Sequence, residues 1–447
     1  MEEEKPIFTR KALQKLIIPL IIEQLLAMTI GMADTVMVTS VGEAAVSGVA
    51  LVDAINILLI QVFAALATGG AVVASQYLGR KDEKSACTSA KQLFYAAGGV
   101  AVLIMTFALL FRGQILSLIF GSVEADVMDS AMSYFFLTAL SFPGIAIYNC
   151  GAALFRSMGN SKVSMFTALG VNLLNIGGNA IFIFGFDMGA AGAGLATLIS
   201  RSVAGVAMLI LICRKKNIIH IDRIWRPEFR SDMLVSILRV GIPNGMENGI
   251  FQVGKLLLQR LIVSFGTAAI AANVIANNVS SVVDVSGNAI ALALITVVGQ
   301  CMGAHVPEQA VTYTRKLMKI VYLCMGVLNI VMFIFATPLV GLFALSAQSA
   351  DMAVEVLRWC AVFSMTIWPT AFVLPNALRA AGDAKFTMVV SISSMFLCRI
   401  GLSYLFCWVF QWGLLGVWLA MFMDWVVRAI IFEVRFRHGT WKHLRVI

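Results

Sequence analysis

An aspartate stands in an apolar run near the start of the chain: residues 31–42 read GMADTVMVTSVG, at the end of a hydrophobic segment that begins around Leu16. A carboxylate in hydrocarbon is costly even on lenient scales. Asp34 therefore needs a partner charge, a water-filled cavity or a bound cation. Two further acids, Glu23 and Asp53, share this half of the chain. Glu23 and Asp34 are separated by about three helical turns, so they share a face, with Asp34 toward the outside. Asn175 and Asn179 also share a helix face, with Asn172 close to it. An acid beside amide oxygens can hold a hard cation, whereas an amide alone cannot take up a proton. Other roles are open to each group. Asp34 could reach interfacial water, Asn172 and Asn175 could serve interhelical packing, and Glu23 and Asp53 could form structural ion pairs with Arg201.

The elements that position these groups follow from composition. Of 447 residues 60% are hydrophobic and 13% charged, with a mean hydropathy of +0.89, against about 25% charged in soluble domains. The chain reads as an all-α polytopic membrane protein. Its net charge of +9 comes from Lys and Arg clusters between apolar runs, as membrane orientation requires, and no nucleic-acid site is read from it. The eight cysteines have no CxxC or ligand spacing, so neither a metal site nor a disulfide framework is expected. All four histidines (220, 305, 438, 443) fall in loops or the tail, leaving no imidazole for an intramembrane relay. HExxH, GxSxG and P-loop motifs are absent from the sequence, which argues against an enzyme, a cofactor or ATP-driven transport by this chain alone. The start, MEEEKPIFTRKALQK, has no small-residue cleavage site, so no removable signal peptide is expected.

Twelve segments are long enough to cross a bilayer: 16–39, 48–78, 92–111, 131–154, 164–185, 190–212, 233–264, 268–299, 316–343, 353–378, 387–411 and 414–434. Positive charge gathers in alternate loops, while the opposite side holds little more than Arg112 and Arg358. Both termini are therefore expected in the cytoplasm. A shift of 224 residues lays Pro19 on Pro243, Glu23 on Glu247, Gly42 on Gly266 and Gln76 on Gln300. A shift of 223 lays FRSMGNSK (155–162) on LRAAGDAK (378–385). Two pseudo-symmetric six-helix lobes follow, 1–213 and 231–447, joined by the basic linker 214–230. Six is even, so the copies run parallel, an arrangement suited to alternating access around a midplane site.

Pro19 and Glu23 followed by DTVMV (34–38), VASQYLGRK (73–81), VVGQCMGA (297–304) and the two FRSMGN/LRAAGD turns resemble the multidrug and toxic compound extrusion (MATE) family over nearly the whole chain. The resemblance implies a V-shaped pair of six-helix lobes that exports cationic or amphipathic compounds in exchange for Na⁺ or H⁺. It implies cation coupling at Asp34, with Asn175, Asn179 and Thr197 lining the same pocket and Glu23 and Asp53 as supporting acids. Asn179 stands where many members carry a second Asp, which removes one negative charge. Glu247 resembles a helix 7 glutamate implicated in cation or drug binding. Trp368 stands near the place where some members carry an Asp in helix 10.

The second lobe carries its own charges within helices: Asp284, Asp424, Lys255, Arg260, Arg399 and Arg428. Asp424 and Arg428 are spaced to pair along one helix. Glu247 could be neutralised by Lys255 or Arg399, and it joins Asp284 and Trp368 as a substrate or second cation site. Pro369 and Pro375 each remove a backbone donor, predicting a bend in the tenth segment. The reading is a secondary active multidrug exporter of the inner (plasma) membrane, monomeric, whose partners are a small-molecule substrate and membrane lipid. A lipid-linked oligosaccharide flippase of the same superfamily is the alternative, and a passive channel or membrane scaffold the alternative from another class.

Overall fold

The computed structural model describes residues 6–121, 124–222, 226, 228–343 and 345–447; side chains 30–36 lie outside the described residues. The fold is all-α, with no strand among the described residues. The first half holds α1 (Arg10–Thr39), α2 (Glu43–Gly79), α3 (Glu83–Phe120), α4 (Ala125–Leu140), α5 (Phe142–Ser157), α6 (Ser161–Asn179) and α7 (Gly189–Ile212). The second holds α8 (Ser231–Val263), α9 (Thr267–Gly303), α10 (Pro307–Ile334), α11 (Ala336–Gly341), α12 (Ala347–Thr366), α13 (Leu374–Ala381), α14 (Ala384–Ser394), α15 (Leu402–Trp408) and α16 (Gly413–His438).

Nine of the described helices are long and apolar enough to cross a membrane, and eleven spans result when the two bent pairs α4–α5 and α12–α13 each count as one. The twelfth expected segment, 233–264, is the continuous helix α8, yet it fails on composition because Arg239, Glu247, Lys255 and Arg260 interrupt its apolar character. Large apolar side chains face outward along the spans, Leu103, Leu118 and Leu397 among them, as hydrocarbon requires and water would not permit on this scale.

The bends have local causes. The 62° break between α12 and α13 is bridged by a π turn, Pro369–Val373, at the first of the two prolines that predict it. Proline lacks the amide needed for the helical ladder, and the freed carbonyls force a wider turn. A second break of 46°, between α4 and α5, falls at Ser141 ahead of Pro143. Further π turns, Ala180–Gly185 and Met395–Gly401, continue α6 and α14.

The repeat extends to the backbone. Left-handed φ recurs at one displacement: Gly42 and Gly266, Lys81 and His305, Asp187 and Gln411, Gly189 and Gly413. Gly159 and Gly382 form the same pair at the FRSMGN and LRAAGD turns. Non-glycine residues rarely adopt this conformation, so its recurrence at Lys81 and His305 shows that the turn after the second helix of each half is built alike.

By packing, the chain divides into one unit of Phe8–Gly245 and another of Met246–Val446. The expected lobes follow the repeat, whereas the units follow contact, and they differ over residues 231–245. That stretch of α8 is seated on α2, where Gly69 faces the Ile237 carbonyl and Gly241 faces that of Ala65, approaches that a Cβ would obstruct.

Candidate functional site

In the first unit, α6 is amphipathic in the inverse sense. Ser161, Ser164, Asn172, Asn175 and Asn179 are buried on one face, while Phe166, Leu173 and Leu174 point outward. In lipid, the polar stripe must face protein, because hydrocarbon offers its hydrogen-bonding groups no partner. Small residues bring the neighbours close enough to meet it: a Cβ on Gly178 would lie 2.9 Å from the Cβ of Ala196 in α7.

At one end of the stripe, the Ser164 hydroxyl donates to Glu23 Oε2 at 2.6 Å, and Arg156 Nη1 lies 3.1 Å from Glu23 Oε1. Glu23 therefore pairs with Arg156 and not with Arg201, whose Nη1 donates to the Ser141 hydroxyl at 3.2 Å. The reason is geometric: Arg156 lies near the C-terminal end of α5, and only interhelical packing brings it to α1. Farther along, Asn172 Nδ2 donates to the Leu26 carbonyl at 2.9 Å. Asn175 Nδ2 then donates to Thr197 Oγ1 at 3.4 Å, and Asn179 Nδ2 to Asn175 Oδ1 at 3.5 Å. The structure thus brings together Asn175, Asn179 and Thr197 as a buried chain of amides and a hydroxyl. Asp34 lies in α1 within the side chains outside the described residues.

Asp53 is held elsewhere in this unit. Its Oδ1 accepts from Tyr134 at 3.0 Å and from Asn56 at 3.4 Å, so neutral donors, not Arg201 through an ion pair, satisfy it among the described residues.

The second unit repeats the acid–base pair. Arg379 Nη2 lies 2.6 Å from Glu247 Oε1, so Glu247 is neutralised by Arg379 and not by Lys255 or Arg399. The match to Glu23–Arg156 is residue for residue at the displacement of the repeat. Arg156 and Arg379 are the charge partners that sequence reading missed; it placed both in charged turns. Their shared position in the two repeated turns was the available signal. The Asp424–Arg428 pair forms as its spacing predicts, with Arg428 Nε 2.8 Å from Asp424 Oδ1. Trp368 is buried, with its ring over Gly287, where no Cβ intervenes, and beside Phe372 at 5.1 Å between centroids. Asp284 stands on α9, close enough to Lys255 for their charges to interact.

The sequence model of the family described as MatE matches twice, over residues 19–181 and 243–405, with the two matches 224 residues apart. The chain is 28% identical to an uncharacterized transporter of Bacillus subtilis, YisQ, over 98% of this chain and 96% of the relative. It is 27% identical to a probable multidrug resistance protein, NorM of Thermotoga maritima, over 98% and 94%. A solved structure of a MOP superfamily transporter from Pyrococcus furiosus superposes with a TM-score of 0.90 at 22% identity, covering 97% of this chain and 96% of that one. That likeness is one of fold.

Proposed function

The chain belongs to the MatE family of multidrug and toxic compound extrusion transporters, and on that premise we propose that it exports cationic or amphipathic toxic compounds by alternating access, driven by an inward H⁺ or Na⁺ gradient. It is a multi-pass membrane transporter and not an enzyme. The observation that carries the reading is the end-to-end kinship with a probable multidrug resistance protein, on a chain whose family match occurs once in each half.

The coupling proposal rests on the polar stripe of α6. Glu23 meets Ser164 and the Leu26 carbonyl meets Asn172, so α1 and α6 run in the same direction. Equal rise along two such helices carries the backbone of residue 34 to the level of Asn175 and Asn179. We assign cation coupling to Asp34, with Asn175, Asn179 and Thr197 as the polar lining. Arg156 neutralises Glu23 and Asn179 is an amide, so little negative charge is left to hold Na⁺. This favours H⁺, which needs one carboxylate that loads on one side and releases on the other. The carrier works as a monomer in the inner (plasma) membrane, both termini cytoplasmic, with the coupling ion as its only co-substrate.

The experiment is ethidium export from proteoliposomes with pH and Na⁺ gradients imposed separately. The expected result is export driven by a pH gradient in the wild type and none in Asp34→Asn. Export driven by a Na⁺ gradient alone at fixed pH would overturn the ion assignment. Export against a gradient by Asp34→Asn would overturn the residue assignment.

A further inference from the structure

The second unit holds a charge cluster that cation export does not require. Three cations surround one ring: Lys255 Nζ lies 5.2 Å, Arg399 Cζ 4.9 Å and Arg428 Cζ 5.4 Å from the centroid of Phe251. Arg428 also lies 5.5 Å from the ring of Phe372, which packs edge-on against Trp425 at 5.9 Å. A ring has only two negative faces, so three cations around one ring are held in part by something else.

Two carboxylates stand near them, and they do not balance the count. Asp424 is fully buried and is hydrogen-bonded to Arg428, while Arg399 Nη1 stays 3.9 Å from its second oxygen. Arg428 is further satisfied by the Ser394 hydroxyl at 2.8 Å and the Ser391 carbonyl at 2.9 Å. Asp284 interacts with Lys255. Glu247, two turns before Lys255 on α8, is already taken by Arg379.

Arg399 is the cation held least: it shares Asp424 with Arg428 through a 3.9 Å ion pair, too long for a hydrogen bond, to an oxygen that has no hydrogen-bond partner among the described residues. It is 7% exposed, and its Nε and Nη1 are buried with no hydrogen-bond partner among the described residues. An arginine carries five donors in a fixed fork that matches a planar or tetrahedral oxyanion, and leaving them unused in a buried setting is costly. Its local setting is a π turn, Met395–Gly401, a widening that recurs at functional sites in helices. Lys255 lies against the same ring as Arg399 and, unlike it, stands on an exposed part of α8.

We infer that Arg399 and Lys255 form a binding site for the oxyanion of an aromatic amphiphile, a carboxylate or sulfonate, whose ring system lies against Phe251 and Phe372. The aromatic wall suits an organic anion with a flat body better than the acyl chains of a resident lipid. Substrates would then include zwitterions and organic anions as well as cations. This extension of the cargo rests on the efflux reading, whereas the binding itself does not.

The test uses full-length protein in nanodiscs of neutral lipid and a matched pair of fluorescent probes. 8-Anilinonaphthalene-1-sulfonate carries the oxyanion, and N-phenyl-1-naphthylamine has the same ring system without it. Lys255→Gln and Arg399→Gln are each expected to weaken binding of the sulfonate about tenfold, the loss of one charge-assisted hydrogen bond, and to leave the neutral probe unchanged. Should Arg399→Gln not fold, Lys255→Gln alone carries the test, since its side chain is exposed. Equal effects on both probes, no effect on the sulfonate, or displacement of the sulfonate by phosphatidylglycerol added to the nanodisc would each overturn the site. Failure of ethidium export with sulfonate binding intact would instead count against the efflux reading alone.

Discussion

Glu247 and Arg379 form a buried ion pair 2.6 Å long, and its counterpart in the other half is completed by a hydroxyl that this one lacks. Glu23 has one oxygen on Arg156 and the other on Ser164. The position corresponding to Ser164 is Thr387, whose hydroxyl donates to the Ala384 carbonyl at 3.0 Å. Glu247 Oε2 is left buried with no hydrogen-bond partner among the described residues. The second unit thus carries the same charge pair with one acceptor open.

Breaking either pair should cost more than removing it. Arg379→Gln leaves Glu247 buried and uncompensated, at about 3–5 kcal/mol, whereas a double neutral replacement can be nearly neutral. Thermal unfolding in detergent is expected to rank wild type and the Glu247→Gln/Arg379→Gln double variant above Arg379→Gln. If the double variant is no more stable than the single one, the pair is not the source of the loss.

The asymmetry at the open acceptor predicts unequal responses to two similar changes. Ser164→Ala removes a hydrogen bond to a carboxylate, worth about 1.5–3 kcal/mol. Thr387→Val keeps shape and loses only a neutral bond to a carbonyl, about 1 kcal/mol. Equal losses in the same unfolding assay would show that Ser164 does not complete the pair in solution.

Orientation can be read from one cysteine. Cys87 is partly exposed near the start of α3, beside Ile218 and His220 of the linker. A membrane-impermeant maleimide is expected to label it in inverted vesicles and not in intact cells. Cys301 is fully buried and is expected to stay unlabelled from both sides, which makes it the internal control. Labelling of Cys87 in intact cells would reverse the assigned topology.

Asp82 supplies a pH prediction outside the spans. It caps α3, accepting from the Ser85 amide at 3.0 Å, and its bond with the Ser85 side chain, then that with the backbone, holds its carboxyl below the usual value of 3.8. A depressed acid stabilises the fold above its unfolded pKa, and that contribution fades as pH falls through the lower folded value. Asp82→Ala is expected to cost about 1 kcal/mol at pH 7, and the difference from wild type should shrink in strong acid. A gap between the two melting curves that stays constant from pH 7 to pH 3 and below would rule out the charged cap.

Much of the fold was legible because hydrocarbon imposes a simple rule on sequence. Runs of apolar residues gave the spans, and Pro369 gave the bend before α13. The rule fits α8 least, since five charged residues, Asp232, Arg239, Glu247, Lys255 and Arg260, sit in a helix of span length. Composition measures each residue against lipid, whereas Glu247 is measured against Arg379. The same limit hid the partner of Glu23. Spacing reveals companions on one helix, as for Asp424 and Arg428, but a pair between helices depends on crossings such as Gly178 on Ala196, which no local pattern encodes. The bend at Ser141 was equally readable from the FPG sequence that follows it, and went unread because one proline next to a glycine is a common turn signal with no fixed angle.

The recurrence of left-handed residues at matching turns separates what is inherited from what is free to vary. Lys81 and His305 share a backbone conformation but not a side chain, while the polar stripe Asn172, Asn175 and Asn179 of the first half has no equal in the second, where Arg399 and Arg428 are buried instead. A duplicated frame with conserved corners tolerates divergence of its contents, since the route of the chain is fixed at the joints. Specificity in such a protein can evolve in one half at a time, with the other half retaining its old chemistry while the new one is selected.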